Sequence, residues 1–227
     1  ATASGFDLSY FTKECRVALD IPCQAPKSVS MTMMFPEHFE KILHCNEKAN
    51  EAVTKFIEEN YIVTRVKPDG INRKVVTHNI LAAKFTEFYN RKLQPHLHTH
   101  NIIFNITRNP YYDKNKRWSK EFNTIDYKTI IDNYIIIDGV YKGELSRQLK
   151  KEGYKLNHDK DNRLNFEIDG YTRKQIIHFS RTDIDAKLNE MGKNRSEASA
   201  KLRNMANLSS LIKSINTFLC SINILIN

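Results

Sequence analysis

The stretch Pro95-His96-Leu97-His98-Thr99-His100-Asn101-Ile102-Ile103-Phe104-Asn105-Ile106 passes from a run of imidazoles directly into a β-type apolar run. Side chains alternate between the faces of a strand, so His98 and His100 share one face with Ile102, Phe104 and Ile106. Thr99, Asn101 and Asn105 take the other. Two imidazoles at i, i+2 over an apolar floor point at one spot above the sheet, which suits a divalent metal with nitrogen ligands. Three of the eight histidines of the chain stand in this stretch. The plain alternative is a pair of solvent-facing residues at a strand end, because a metal needs a third ligand from elsewhere. Residues 80–89 read as a preceding strand and residues 90–95 as the joining loop. Antiparallel pairing through that loop brings Glu87 near His98 and His100.

Upstream, residues 17–31 read as an apolar strand opening into a proline-containing turn. Over residues 36–60, Phe39, Ile42, Leu43, Ala49, Val53, Phe56 and Ile57 fall at helical spacing with Glu and Lys between them, the pattern of a core-facing helix. Residues 61–66 and 71–77 read as two strands around Lys67-Pro68-Asp69-Gly70, where glycine accepts the positive φ of a tight turn. With the Asp20 strand and the two strands around the histidine loop this makes about five strands. Downstream, Asn109-Pro110 breaks the pattern. The loop after it mixes Lys114, Lys116 and Arg117 with Tyr111, Tyr112 and Trp118. Cations among aromatics suit phosphate neutralisation with base stacking on single-stranded DNA; a polar hairpin capped by a packing Trp118 fits the same residues. Residues 126–151 carry Ile130, Tyr134, Ile137, Tyr141, Leu145 and Leu149 at steps of three and four, predicting one long amphipathic helix, with Gly153 at its C-terminal end. A short strand over 163–168 follows, then the capping box Thr172-Arg173-Lys174-Gln175 opens a helix through Phe179. Further helices are predicted over 182–190 and 196–205.

The 227 residues give room for one large domain, or one plus a tail, with an ample core. A formal net charge of +9 favours a polyanionic partner. Cys15, Cys23, Cys45 and Cys220 show no paired spacing, which argues against a disulfide framework and a thiolate zinc site and makes a reducing cytoplasm the simplest setting. No signal peptide is visible, and the longest uncharged stretch, residues 214–227, is too short and too polar to span a membrane. No membrane partner is expected. The chain starts at Ala1 and not Met, so a fragment or processed form is expected.

Three separated motifs carry a resemblance over roughly residues 17–190. Ala25-Pro26-Lys27-Ser28-Val29-Ser30 follows a strand that contains Asp20. A strand ending at Phe85-Thr86-Glu87 leads through a polar loop to Leu97-His98-Thr99-His100-Asn101. Val140-Tyr141, Glu144-Leu145, Leu149 and Gly153-Tyr154 then close a helix. In this order and spacing the chain resembles the MobF-type conjugative relaxases of the HUH endonuclease superfamily. The resemblance implies an α+β fold, a central, mainly antiparallel five-stranded sheet with helices packed against it. It implies a metal site of His98, His100 and Glu87, the last standing where the family has a third histidine. A His₂-carboxylate set shifts preference towards harder ions such as Mg²⁺ or Mn²⁺. Asp20 is the family's aspartate beside the metal, which orients a histidine or handles the nucleophile's proton. Lys27, Arg91, Lys116, Arg117 and Trp118 are the candidate DNA contacts.

The implied activity is site- and strand-specific nicking and transfer of single-stranded DNA at an origin of transfer in plasmid conjugation, in the bacterial cytoplasm and beside other relaxosome proteins. Relaxases of this kind use a tyrosine near the N-terminus. Tyr10 is the sole tyrosine ahead of Asp20 and stands in no recognisable family context, so the nucleophile is expected to be missing from this chain. The expected organisation is an irregular segment 1–16, a relaxase-like domain 17–192 and a helical or irregular tail 193–227, with neither a helicase motif nor a Gly-rich phosphate loop. Two other readings remain open: a non-catalytic single-stranded DNA-binding module of the same fold, and an unrelated metal-dependent hydrolase using the His pair.

Overall fold

The computed structural model describes residues 16–90, 93–111, 121–160, 162 and 164–180. The chain divides into two compact units, residues 1–170 and 171–227. In the first, strands β1 (Ala18–Gln24), β4 (Ala82–Tyr89) and β5 (Pro95–Phe104) form the main sheet in the order β1-β5-β4, antiparallel throughout. The histidine strand is therefore the middle strand. Pro22 is tolerated in β1 for a definite reason. Asn105 N donates to Val17 O, so in the alternating ladder Pro22 and its partner His100 exchange no backbone bond, and the missing N–H is not needed.

The α+β class and the antiparallel sheet agree with the sequence reading, but the sheet differs in extent. Strands β2 (Val63–Val66) and β3 (Arg73–Val76) pair only with each other and not with the main sheet among the described residues. Arg73, Lys74 and Val76 of β3 are exposed, so this strand has no apolar face to lay on a core. The expected five-stranded sheet is thus a three-stranded one with a separate ribbon, and two further separate pairs are β6 (Thr107–Arg108) with β7 (Phe122–Asn123), and β8 (Leu156–His158) with β9 (Phe166–Ile168).

The turn expected after Pro26 is a helix, α1 (Lys27–Thr32), with Pro26 just ahead of its first residue, where the fixed proline φ does not obstruct the helix. Helix α2 (Pro36–Asn60) buries Ile42, Cys45, Asn46, Ala49, Asn50, Val53 and Ile57, one face at steps of three and four. The long helix expected over 126–151 is two, α3 (Lys128–Asp132) and α4 (Tyr134–Lys151). Asn133 breaks it with φ −110° and ψ 17°, its amide donating to Thr129 O. Ile137, Tyr141, Leu145 and Leu149 of α4 are buried. With α2 they cover the sheet face that carries Leu97, Thr99, Asn101 and Ile103, and leave the histidine face to the site.

In the second unit, α5 (Arg173–Ser180) opens with the expected capping box: Thr172 N donates to Gln175 Oε1 at 2.8 Å and Gln175 N to Thr172 Oγ1 at 3.4 Å. The helices expected over 182–190 and 196–205, and the tail, lie outside the described residues. No helix among the described residues is long and apolar enough to cross a membrane.

Candidate metal centre

Register builds the site. On β5, His98 stands opposite Glu87 of β4, and His100 stands opposite Pro22 of β1 and Phe85 of β4. One ligand atom each of Glu87, His98 and His100 lie within 4.8 Å of one another. His98 Nε2 is 3.3 Å from Glu87 Oε2. The imidazoles are enclosed, with 11% and 12% of their side chains exposed, whereas Glu87 at 48% forms the open side.

Both rings are held by the nitrogen that faces away from Glu87. His98 Nδ1 is 2.8 Å from His96 O, and a carbonyl only accepts, so Nδ1 carries the proton and Nε2 keeps its lone pair. His100 Nδ1 donates to Asp20 Oδ2 at 2.7 Å, the arrangement in which a carboxylate fixes the tautomer and orientation of a ligating imidazole. Burial pulls the pKa of His98 down, while the hydrogen bond that His100 donates to Asp20 pushes the pKa of His100 up. Asp20 Oδ1, also buried, has no hydrogen-bond partner among the described residues. Two imidazole nitrogens with fixed back sides, one carboxylate and an open face make a donor set that fits a divalent ion.

His96 does not join this set. Its ring packs on His98 with centroids 4.5 Å apart, and burial lowers its pKa to about 4. Lys27 is half-buried, and its ammonium donates to Pro95 O at 2.8 Å, tying α1 to the start of the histidine strand. Tyr10, Arg91, Lys116, Arg117 and Trp118 lie outside the described residues.

What sequence reading missed is the layer behind the histidines. Asn46 Nδ2 donates to Thr99 Oγ1 at 2.9 Å, Thr99 Oγ1 lies 3.0 Å from Thr86 Oγ1, Asn101 Nδ2 donates to Asn50 Oδ1 at 2.9 Å, and Tyr141 OH donates to Asn46 Oδ1 at 2.8 Å. Thr99 and Asn101 alternate with His98 and His100, so this network holds the register. A slip of one residue would turn the imidazoles into the helices. The available signal was two asparagines at i, i+4 on the apolar face of α2.

An antiparallel sheet with a His-x-His pair on its middle strand and helices on one face is the arrangement of the HUH class of domain, and on the open face Glu87 stands beside the pair. Residues 4–211 match the TrwC relaxase family, and the chain belongs to that family. It is 31% identical over 153 residues to the multifunctional conjugation protein TraI of Escherichia coli, covering 66% of this chain and 9% of TraI. Its counterpart in E. coli strain K12 is 31% identical over 139 residues, 61% of this chain and 8% of that protein. Among solved structures, the metal-bound complex of conjugative relaxase TrwC with oriT DNA aligns with TM-score 0.71 at 26% identity, covering 85% of this chain and 64% of that one. TrwC with a 27-mer comprising the recognition hairpin and the cleavage site also gives 0.71, at 26% identity, 85% and 69%. The chain thus spans less than a tenth of the TraI relatives it matches.

Proposed function

We propose that this chain is the core of a conjugative relaxase, a domain spanning residues 17–192 that binds single-stranded DNA from an origin of transfer and holds a divalent metal for strand-specific nicking and transfer. The observation that carries the reading is the convergence of Glu87, His98 and His100 on one point, with both histidines oriented from behind. Family membership and the DNA-bound TrwC structures support the same partner. The setting is a bacterial cytoplasm with other relaxosome proteins.

A bound divalent ion supplies charge that polarises a phosphodiester oxygen and stabilises charge developing on it. The chain's own residues do the rest of the positioning. His98 and His100 present Nε2, Asp20 keeps the Nδ1 proton of His100 in place, and the enclosed faces of both rings exclude water. Glu87 adds a negative charge where the family pattern has a neutral imidazole, which shifts the set's preference towards harder ions such as Mn²⁺ or Mg²⁺ relative to three imidazoles. The strand-breaking step needs a tyrosine hydroxyl that attacks phosphorus, expels the 3′-oxygen and remains as a 5′-phosphotyrosyl ester. We assign that nucleophile to no residue of this chain.

Competition calorimetry tests the reading. Mn²⁺ is expected to bind one site per chain, with the site lost in H98A/H100A. In E87H, preference is expected to move towards Zn²⁺ or Ni²⁺, by roughly tenfold or more relative to Mn²⁺. Unchanged Mn²⁺ binding in H98A/H100A would refute it.

A further inference from the structure

The ribbon β2–β3 has no place in the metal centre, yet it carries an unusual charge arrangement. Arg65 and Lys74 stand directly opposite each other across the two strands, a like-charge pair that by itself opposes pairing. One carboxylate holds them together: Asp126 Oδ2 lies 3.3 Å from Arg65 Nη2 and 2.9 Å from Lys74 Nζ. Asp126 is itself fixed from both sides, its backbone N–H donating to Val63 O at 2.7 Å and its Oδ1 accepting from Lys128 N at 3.3 Å.

Two cations on one carboxylate leave a positive charge over. Most of each cationic side chain stays in solvent, 71% for Arg65 and 56% for Lys74, against 13% for Asp126. Lys67 and Arg73 of the same hairpin are exposed as well, against the single acid Asp69. The cluster opens onto a cleft of about 350 Å³ lined by Arg65, Asp126, Asn123 and Phe122, a residue 40% exposed. A polar cleft with Arg65 in its lining, Lys74 beside Arg65 and an aromatic residue in its wall has the parts that bind an unpaired nucleotide: charge for the phosphate and an aromatic side chain for the base.

We infer that Arg65 and Lys74, preset by Asp126, form a second phosphodiester-binding site, and that the adjoining cleft takes one unpaired base of a single strand against Phe122. The inference rests on the single-stranded DNA reading above and names a contact on that strand outside the metal centre. Neither cation touches Glu87, His98 or His100, so the site contributes to holding the strand and not to the chemistry.

Fluorescence anisotropy of the 227-residue chain with a labelled oligothymidine, over a range of salt concentrations, tests it. R65Q and K74Q, both at exposed positions, are each expected to reduce the slope of log K against log salt by about 0.7, the share of one single-strand phosphate contact. F122A is expected to weaken single-strand binding about tenfold, the loss of one stacked base, and to leave duplex binding unchanged. Mn²⁺ binding measured in parallel should match wild type in all three, which certifies the fold. Wild-type slopes in both glutamine variants, with wild-type protein binding the oligonucleotide, would overturn this site alone. Unchanged affinity in F122A would overturn the base-binding cleft. Failure of wild-type protein to bind any single strand would overturn both this inference and the DNA-binding reading.

Discussion

His100 Nδ1 and Asp20 Oδ2 lie 2.7 Å apart across the β1–β5 pair, and this bond joins two motifs separated by eighty positions in the chain. It decides which nitrogen of His100 is left for a ligand, and it raises the pKa of that imidazole because an ionised acceptor favours a protonated ring.

Replacing Asp20 by Asn keeps the shape and removes the charge. D20N is expected to lower the His100 pKa, read from the pH titration of its ring protons. Mn²⁺ affinity should fall by roughly 10- to 100-fold, the usual effect of losing a carboxylate behind a ligating histidine. Calorimetry at neutral pH measures the second effect; an unchanged affinity would show that backbone geometry alone orients the ring.

The layer behind the histidines gives an ordered pair of expectations. In N46A both Thr99 Oγ1 and Tyr141 OH lose their bond to Asn46 while remaining buried, so the cost should be roughly 2–4 kcal/mol in chemical denaturation. Y141F removes one donor, and Asn46 Oδ1 still accepts from Asn50 Nδ2 at 3.2 Å. Its cost should be nearer 1 kcal/mol. Mn²⁺ binding should weaken in N46A more than in Y141F, because Asn46, unlike Tyr141, bonds directly to β5. Equal losses in the two variants would contradict this division.

His96 is expected to make the metal-free protein acid-sensitive. Burial lowers its pKa from 6.5 to about 4, so between those values the unfolded chain binds a proton that the folded chain refuses. Stability is therefore complete above the unfolded pKa and is lost as pH falls through this window, by at most about 3 kcal/mol if the full shift is realised. H96Q is expected to flatten the melting-temperature profile over that range in the presence of chelator. A profile identical to wild type would assign the acid sensitivity to other groups.

The parts of this fold written in local periodicity were legible: the alternation that puts His98 and His100 on one face, the three- and four-residue steps of α2, and the Thr172 to Gln175 capping box. Glu87 could be placed because a short loop leaves an antiparallel pair almost no freedom of register. Where sequence reading fell short, a long-range choice competed with a local one. Pro26 looks like a turn residue, but it stands equally well before a helix, and Ser28 Oγ accepting from Ile168 N anchors that helix from far along the chain. Asn133 has ordinary neighbours, yet it breaks a continuous apolar stripe where its side chain bonds back to Thr129 O. Asn46 and Asn50 read as polar interruptions of a helix face until Thr99 and Asn101 are laid against them. Arg65 and Asp126 are sixty-one positions apart, and no local pattern announces their meeting.

A last expectation concerns chemistry. This chain alone is expected to bind metal and single-stranded DNA without forming a covalent adduct. Transesterification requires a hydroxyl held in line with the phosphorus atom, and removing a nucleophile costs several orders of magnitude in rate, because charge stabilisation must then act through water. Tyr127, Tyr134 and Tyr141 do not fill the role. Tyr141 is locked onto Asn46 and Tyr127 onto Ile103 O, and burial drives both hydroxyls far from ionisation. Tyr134, the most exposed of the three, donates to Pro22 O at 3.0 Å, and burial still raises its pKa to about 12. Incubating the chain with Mn²⁺ and oligonucleotides carrying the origin of its own element, then resolving the mixture under denaturing conditions, measures the outcome. A denaturant-resistant species mapped to Tyr10 would overturn the expectation, whereas one that forms only when a tyrosine-bearing segment is supplied in addition would place the attacking group outside this chain and the metal centre within it.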